Sequence, residues 1–141
     1  MDNNLIEGDK MDAYVIKLKS FSDQRGKLIS IENSKYIPFD IKRVYWIYDT
    51  SPDHERGGHA HKSLQQLVIC IDGSCEFVLD DGKEKTIYKL NRPDEGLYIG
   101  HNIWRVMRSF SYGCKIVVLA SEFYNEREYI RDYKEFLKEI K

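Results

Sequence analysis

Through most of the chain, apolar residues alternate with polar ones over short stretches, and each stretch ends in glycine, proline or aspartate. A period of two with such punctuation is the signature of half-buried β-strands joined by tight turns. MDAYVIKLK (residues 11–19) reads as a strand. FSDQRGKLISIE (21–32) places a turn over residues 23–26 before a second strand, KLISIE. Pro38, in YIPFDI, marks a loop or edge position. In KRVYWIYDT (42–50), Val44, Trp46 and Tyr48 alternate with Arg43, Tyr45 and Ile47. SPDHERGG (51–58) is a polar, glycine-ended loop, and HAHKSL leads from it into QQLVICIDG, a strand ending in the hairpin signal Asp72-Gly73. Asp81-Gly82 repeats that signal between CEFVL and KTIYKL. NRPDEG is a turn, LYIGHNIWRVM is strand-like with a break at Gly100, and SYGCKIVVLAS is a further strand.

The period changes at the end. In EREYIRDYKEFLKEIK (126–141), Tyr129, Ile130, Tyr133, Phe136, Leu137 and Ile140 form one helical stripe, with Asn125 as its cap. Tyr124, Tyr129 and Tyr133 read as packing for that helix. Many short antiparallel strands and one terminal helix predict an all-β sandwich or barrel with a C-terminal helix. No repeat, linker or low-complexity tract interrupts the pattern. The expected organisation is a loose segment over residues 1–10 and a single domain over 11–141.

Composition narrows the class of protein. At 141 residues, with 42% hydrophobic and 32% charged residues, the chain suits one soluble domain. Basic residues number 22 and acidic residues 23, so no bulk field favours nucleic acid, and none is expected as a partner. Cys70, Cys75 and Cys114 lack a CxxC spacing and read as small buried hydrophobes in a reducing compartment. The polar start, MDNNLIEGDK, has the pattern of neither a signal peptide nor a membrane span. A cytoplasmic protein with no membrane partner is expected.

Candidate chemistry begins at RGGHAHK. On a strand, His59 and His61 project to the same side. Such a pair starts a metal site or builds a proton-transfer pair. Gln66 and the Gly73 turn follow, and the whole resembles the first motif of the cupin superfamily: histidine, one residue, histidine, then a glutamate and a glycine turn. The second cupin motif supplies a further histidine. The matching stretch here, YIGHNIWRV, has Arg105 at that position. Catalytic transition-metal sites use about three ligands drawn from His, Asp and Glu. Gln66 is a weak neutral ligand, and Arg105 sets fixed positive charge where a cation would sit. No catalytic metal is expected.

The strings IPFDIKRVYWIYDT, RGGHAH, QQLVICIDGSC, GLYIG, IWR and VLASEFYNEREYIRDY resemble one narrow cupin family, the dTDP-4-oxo-6-deoxy-D-glucose 3,4-ketoisomerases (FdtA/QdtA-like, WxcM-like). The likeness runs from about Ala13 to Tyr133. It implies a double-stranded β-helix (jelly roll), a homodimer with exchanged N-terminal strands, a dTDP-sugar substrate and no cofactor. It also implies a role in making 3-amino-3,6-dideoxy sugars for cell-surface glycans such as O-antigen or S-layer glycan.

By the same resemblance His59 is the base, His61 orients or relays, and Tyr45 stands beside the reacting sugar. Arg25 and Arg105 match positions that contact sugar or phosphate oxygens. For the diphosphate, which needs a fork of cationic donors, the candidates are Arg56, then Arg43, then Lys62. Trp104 is a candidate for stacking on thymine, and Gln66 for the pocket floor. Two other readings share the jelly roll: a dTDP-sugar 3,5-epimerase-like enzyme and a non-catalytic carbohydrate-binding cupin.

Overall fold

A computed structural model of the chain describes residues 10–33 and 36–140. The loose segment expected over residues 1–10 lies, apart from Lys10, outside the described residues. The strands are β1 (Ala13–Lys17), β2 (Ser20–Asp23), β3 (Gly26–Ile29), β4 (Arg43–Ile47), β5 (Arg56–His61), β6 (Gln66–Asp72), β7 (Cys75–Asp80), β8 (Lys85–Leu90), β9 (Glu95–Ile99), β10 (Trp104–Arg108), β11 (Lys115–Ala120) and β12 (Tyr129–Ile130), followed by helix α1 (Tyr133–Glu139). The mostly-β architecture with one C-terminal helix agrees with the alternation read from the sequence.

Two five-stranded sheets carry the molecule, in the orders β1-β9-β6-β11-β4 and β12-β5-β10-β7-β8, with β2 and β3 forming a separate hairpin. Strand alternation decides the core. Val68 and Cys70 of β6, Leu97 and Ile99 of β9, and Ile116 and Val118 of β11 face Cys75, Phe77 and Leu79 of β7 and Met107 of β10. Burying both inner faces against each other is the main apolar gain of such a pair of sheets. A second apolar cluster covers the outside of the first sheet, where Ile37 and Phe39 lie over Leu67, Ile69, Tyr98 and Leu119. Helix α1 seals the outside of the second sheet through Phe136, which packs with Ala60 and Ile130.

Three local expectations are corrected. The Asp72-Gly73 signal does not make a hairpin, because β6 and β7 belong to different sheets. Gly73, at φ +81°, turns the chain from one sheet to the other. Asp81-Gly82 does make one, joining the paired strands β7 and β8. The loop expected over 51–58 ends early, since Arg56, Gly57 and Gly58 are already strand.

The helix expected over 126–141 is much shorter. Asn125 caps only a 3₁₀ turn, Glu126–Glu128, by accepting from the Arg127 amide. Tyr129 and Ile130 then pair with His61 and Ala60 as β12. Asp132 starts the true helix by accepting from the amides of Lys134 and Glu135. The Glu128 carboxylate anchors this departure from helix. Its Oε1 accepts from the Ser63 amide at 2.8 Å, the Ser63 hydroxyl at 3.1 Å and the Leu64 amide at 3.1 Å. Among the described residues, no helix is long and apolar enough to cross a membrane.

Candidate active site

A cavity of about 580 Å³ opens between the two sheets at one end of the molecule. Its apolar floor is Ile47, Val68, Phe77, Met107 and Val118. Its polar wall has Tyr45 and Arg43 from β4, Gln66 from β6, His59 from β5 and Arg105 from β10. Strand parity puts these side chains there: on each strand they share the inward face with core residues, as Gln66 does with Val68 and Arg105 with Met107.

Gly57 fixes the register of the histidine strand. A Cβ there would lie 2.9 Å from the Arg105 carbonyl oxygen, and its φ is +87°. Only glycine allows that approach without strain. The β5–β10 pairing shifts register between Arg105 and Val106, and the result sets His59 opposite Arg105. The close approach at this glycine is thus to the neighbouring strand.

Arg105 is 2% exposed. It donates to the Gln66 side-chain oxygen at 2.5 Å and to the Ile103 carbonyl at 3.0 Å. Among the described residues no carboxylate pairs with it, and burial pulls its guanidinium down to about 10, still charged at neutral pH. The histidines respond to the same surroundings. Burial, then the Arg105 charge, pushes His59 down to about 4 and His61 down to about 2. Both imidazoles are therefore neutral at pH 7, the form in which a ring nitrogen accepts a proton. Burial also raises Tyr45, so its phenol keeps its hydrogen.

Unsatisfied polar atoms gather at this end. Among the described residues, the buried side-chain atoms without a hydrogen-bond partner are Arg43 Nε, His59 Nδ1, both ring nitrogens of His61 and Arg105 Nε. Buried polar groups are nearly always paired, so their concentration in one place marks a site prepared for something other than folding.

Of the residues singled out from sequence, His59, Tyr45, Gln66, Arg105, Arg43 and Arg56 line the one cavity. His61 is fully buried behind the wall, its ring 4.8 Å from His59, edge to face. Lys62 lines a different recess beside Asp132 and Glu135. Arg25 lies at the β2–β3 turn, paired with Asp23 and with its side chain 90% exposed, in a third recess. Trp104 points away from the cavity and packs on Tyr133 and Phe136. Its β10 parity is opposite to that of Arg105, which makes it part of the helix seat.

The sequence reading missed Tyr124, Tyr129, Arg131 and Glu55, all of which line the cavity. Tyr129 touches both histidines, at 5.0 Å from His59 and 4.4 Å from His61. The Arg131 guanidinium lies 4.4 Å from the Tyr129 ring centre. Arg43 sits between Tyr45 and Tyr124, at 5.4 and 5.6 Å. Two residues of strand are too few to show a period of two, so no sequence signal separated β12 from the helix. The lining holds four arginines and one glutamate, a balance that favours an anionic ligand.

The donor set does not suit a cupin-type metal. Gln66 spends its oxygen on Arg105, and the guanidinium occupies the place of a further ligand. Among the described residues, the only trio of His, Cys, Asp or Glu ligand atoms within reach of one ion is Cys70, Cys75 and Cys114, which do not line the cavity.

The two-sheet architecture with one C-terminal helix is that of a cupin-like β protein, with a cationic, histidine-bearing cavity between its sheets. Residues 11–141 match the family model described as WxcM-like, C-terminal (FdtA), and the chain belongs to that family. It is 48% identical over 130 residues to a TDP-4-oxo-6-deoxy-alpha-D-glucose-3,4-oxoisomerase of Aneurinibacillus thermoaerophilus, covering 92% of this chain and 94% of that one. A crystal structure of a 3,4-ketoisomerase from Helicobacter canadensis is 58% identical, with a TM-score of 0.91, over 93% of this chain and 98% of the other. The WlaRB TDP-quinovose 3,4-ketoisomerase of Campylobacter jejuni is 54% identical, with a TM-score of 0.87, over 90% and 98%.

Proposed function

We propose that this protein is a sugar-nucleotide 3,4-ketoisomerase. It converts dTDP-4-oxo-6-deoxy-D-glucose into a dTDP-3-oxo-6-deoxy-hexose, the precursor of a 3-amino-3,6-dideoxy sugar, in the cytoplasm. The carrying observation is a neutral, buried-edge imidazole, His59, opposite an uncompensated buried guanidinium, Arg105, in a cavity of anion-binding character. The names of relatives at 48–58% identity over nearly the full chain support the same reaction and substrate.

The reaction asks little beyond these groups. The C4 carbonyl acidifies the C3 hydrogen, which leaves as a proton to His59. The released electron pair forms a C3–C4 double bond, and negative charge grows on O4, where fixed donors stabilise it. Protonation of O4 completes the enediol. A proton is then delivered to C4 while the O3 hydroxyl loses its own, and the carbonyl reappears at C3. The balance is one hydrogen moved from C3 to C4 and one from O3 to O4, with no electrons leaving the sugar. No redox cofactor is needed, and the donor set of Gln66 and Arg105 supports a metal-independent course. His61, behind His59, orients the base. Arg43, Arg56 and Arg131 serve the diphosphate, since guanidinium forks suit phosphate oxygens.

The fold closes as a cupin-type jelly roll, a single domain over 11–141, and works as a homodimer. The outer face of the first sheet carries Val44, Trp46 and Tyr48, with Trp46 64% exposed, beside Ile71. The β2–β3 hairpin arches over an apolar recess of about 480 Å³ lined by Ile29, Ile31, Ile69 and Val117. A second copy covers these surfaces. In the single chain β1 pairs with its own β9; in the proposed dimer the N-terminal strands exchange between subunits.

The test is NMR of dTDP-4-oxo-6-deoxyglucose incubated with the protein in deuterium oxide. A ketone at C3 with deuterium at C4 is expected. Deuterium at C5 with a retained C4 ketone indicates an epimerase, and binding without exchange indicates a carbohydrate-binding module.

A further inference from the structure

Gln66 stands between two groups whose hydrogen-bonding options are unequal. Arg105 Nη1 approaches its side-chain oxygen at 2.5 Å, and its side-chain nitrogen lies 2.9 Å from the Tyr45 hydroxyl. A guanidinium has donors only, so the carboxamide atom facing it must be the oxygen. The atom facing Tyr45 is then the NH₂, which also only donates. The Tyr45 oxygen must accept, and its own hydrogen cannot be spent on Gln66. Among the described residues, that hydroxyl makes no other hydrogen bond, and the ring lines the cavity.

We propose that Gln66 is a positioning residue that sets the polarity of Tyr45, so that the phenol donates its hydrogen to the substrate oxygen on which negative charge develops. The chain Arg105 to Gln66 to Tyr45 to substrate runs in one direction, and each member donates forward. The inference rests on the ketoisomerase reading and specifies which atom of that site holds O4. It also gives a physical reason for glutamine where a metal-binding cupin has glutamate. A carboxylate there offers two acceptors. One would take Arg105 and the other would take the Tyr45 hydrogen, turning it away from the substrate.

The test is a double-mutant cycle of Gln66→Glu and Tyr45→Phe. The readout is the rate at which the C3 hydrogen of dTDP-4-oxo-6-deoxyglucose exchanges into deuterium oxide at saturating substrate, with dTDP affinity measured in parallel as a check on folding and binding. In the parent background, with Tyr45 present, Gln66→Glu should lower turnover on the order of 10²-fold, the typical loss of one oxyanion donor, with KM and dTDP affinity within about threefold. In the Tyr45→Phe background the same change should cost less than about threefold, because no phenol hydrogen remains to be captured. Equal losses in both backgrounds would overturn the proposal, as would a Gln66→Glu enzyme within about threefold of the parent.

Should Tyr45→Phe leave no measurable exchange, Gln66→Met takes its place in the comparison. Methionine removes the donor without offering a strong acceptor to the phenol, so it should keep at least about tenfold more activity than glutamate. Equal activity of the Gln66→Met and Gln66→Glu variants would contradict the polarity argument. If the parent enzyme forms no C3 ketone from dTDP-4-oxo-6-deoxyglucose, the ketoisomerase reading fails first, independently of Gln66.

Discussion

His59 and Arg105 are register partners on β5 and β10, so a histidine and a buried guanidinium face each other across one strand pair. Burial, and after it the Arg105 charge, keeps the His59 imidazole unprotonated at neutral pH.

The pH profile should carry this relationship. Burial and Arg105 depress His59 to about 4. A base with a lowered pKa stays in its active form down to that value, so the acid limb of kcat/KM should fall near pH 4 and the rate should stay flat from about pH 5 to 7. Removing the guanidinium with Arg105→Gln leaves burial and the smaller effect of the Arg131 charge to depress His59, and the acid limb should move upward toward the ordinary histidine range. Overall activity should fall in the same variant. An acid limb that stays in place would show that Arg105 does not govern the protonation of the base.

Gly57 should tolerate no side chain. A Cβ there meets the Arg105 carbonyl oxygen at 2.9 Å in a backbone region, φ +87°, that other residues rarely adopt. Gly57→Ala should cost on the order of 1–3 kcal/mol in stability, read by urea denaturation. It should also lower turnover, because the strand that carries His59 must move off β10. Gly58, at φ +73°, has nothing within 4 Å of a built Cβ. Alanine there meets only the backbone penalty and should cost less.

Much of this site was legible before the fold. Alternation in 42–50 separates Tyr45 and Arg43 from Trp46, and resemblance to the cupin motifs, not spacing alone, singles out His59, His61, Gln66 and Arg105, which lie on β5, β6 and β10. The tail was not legible. Tyr129, Ile130, Tyr133 and Phe136 satisfy a helical period, yet Tyr129 and Ile130 pair with β5. The reason is tertiary: Glu128 is tied to the backbone of Ser63 and Leu64, and Asp132, not Asn125, caps the helix. Trp104 departs from its expected place because one register step on β10 separates the cavity face from the face beneath α1.

The proposed homodimer makes its own prediction. Trp46 lies on an apolar outer face with Val44 and Tyr48 and away from the cavity. Trp46→Glu should shift the protein from dimer to monomer in sedimentation at micromolar concentration, since an unpaired carboxylate in an apolar interface is strongly disfavoured. A parent protein that sediments as a monomer under those conditions would defeat the dimer.

The central claim is that His59 takes the C3 proton. Asparagine preserves polarity and approximate breadth at that position but cannot accept a proton there. The deciding measurement is conversion of dTDP-4-oxo-6-deoxyglucose by His59→Asn, with a parallel titration of dTDP-sugar binding. The account predicts turnover reduced on the order of 10²–10⁴-fold, the usual cost of losing a general base, with affinity largely kept. A His59→Asn enzyme that binds the sugar and isomerises it within a fewfold of the parent rate would contradict the account and move the base to another group in the cavity, with Tyr45 the first to examine.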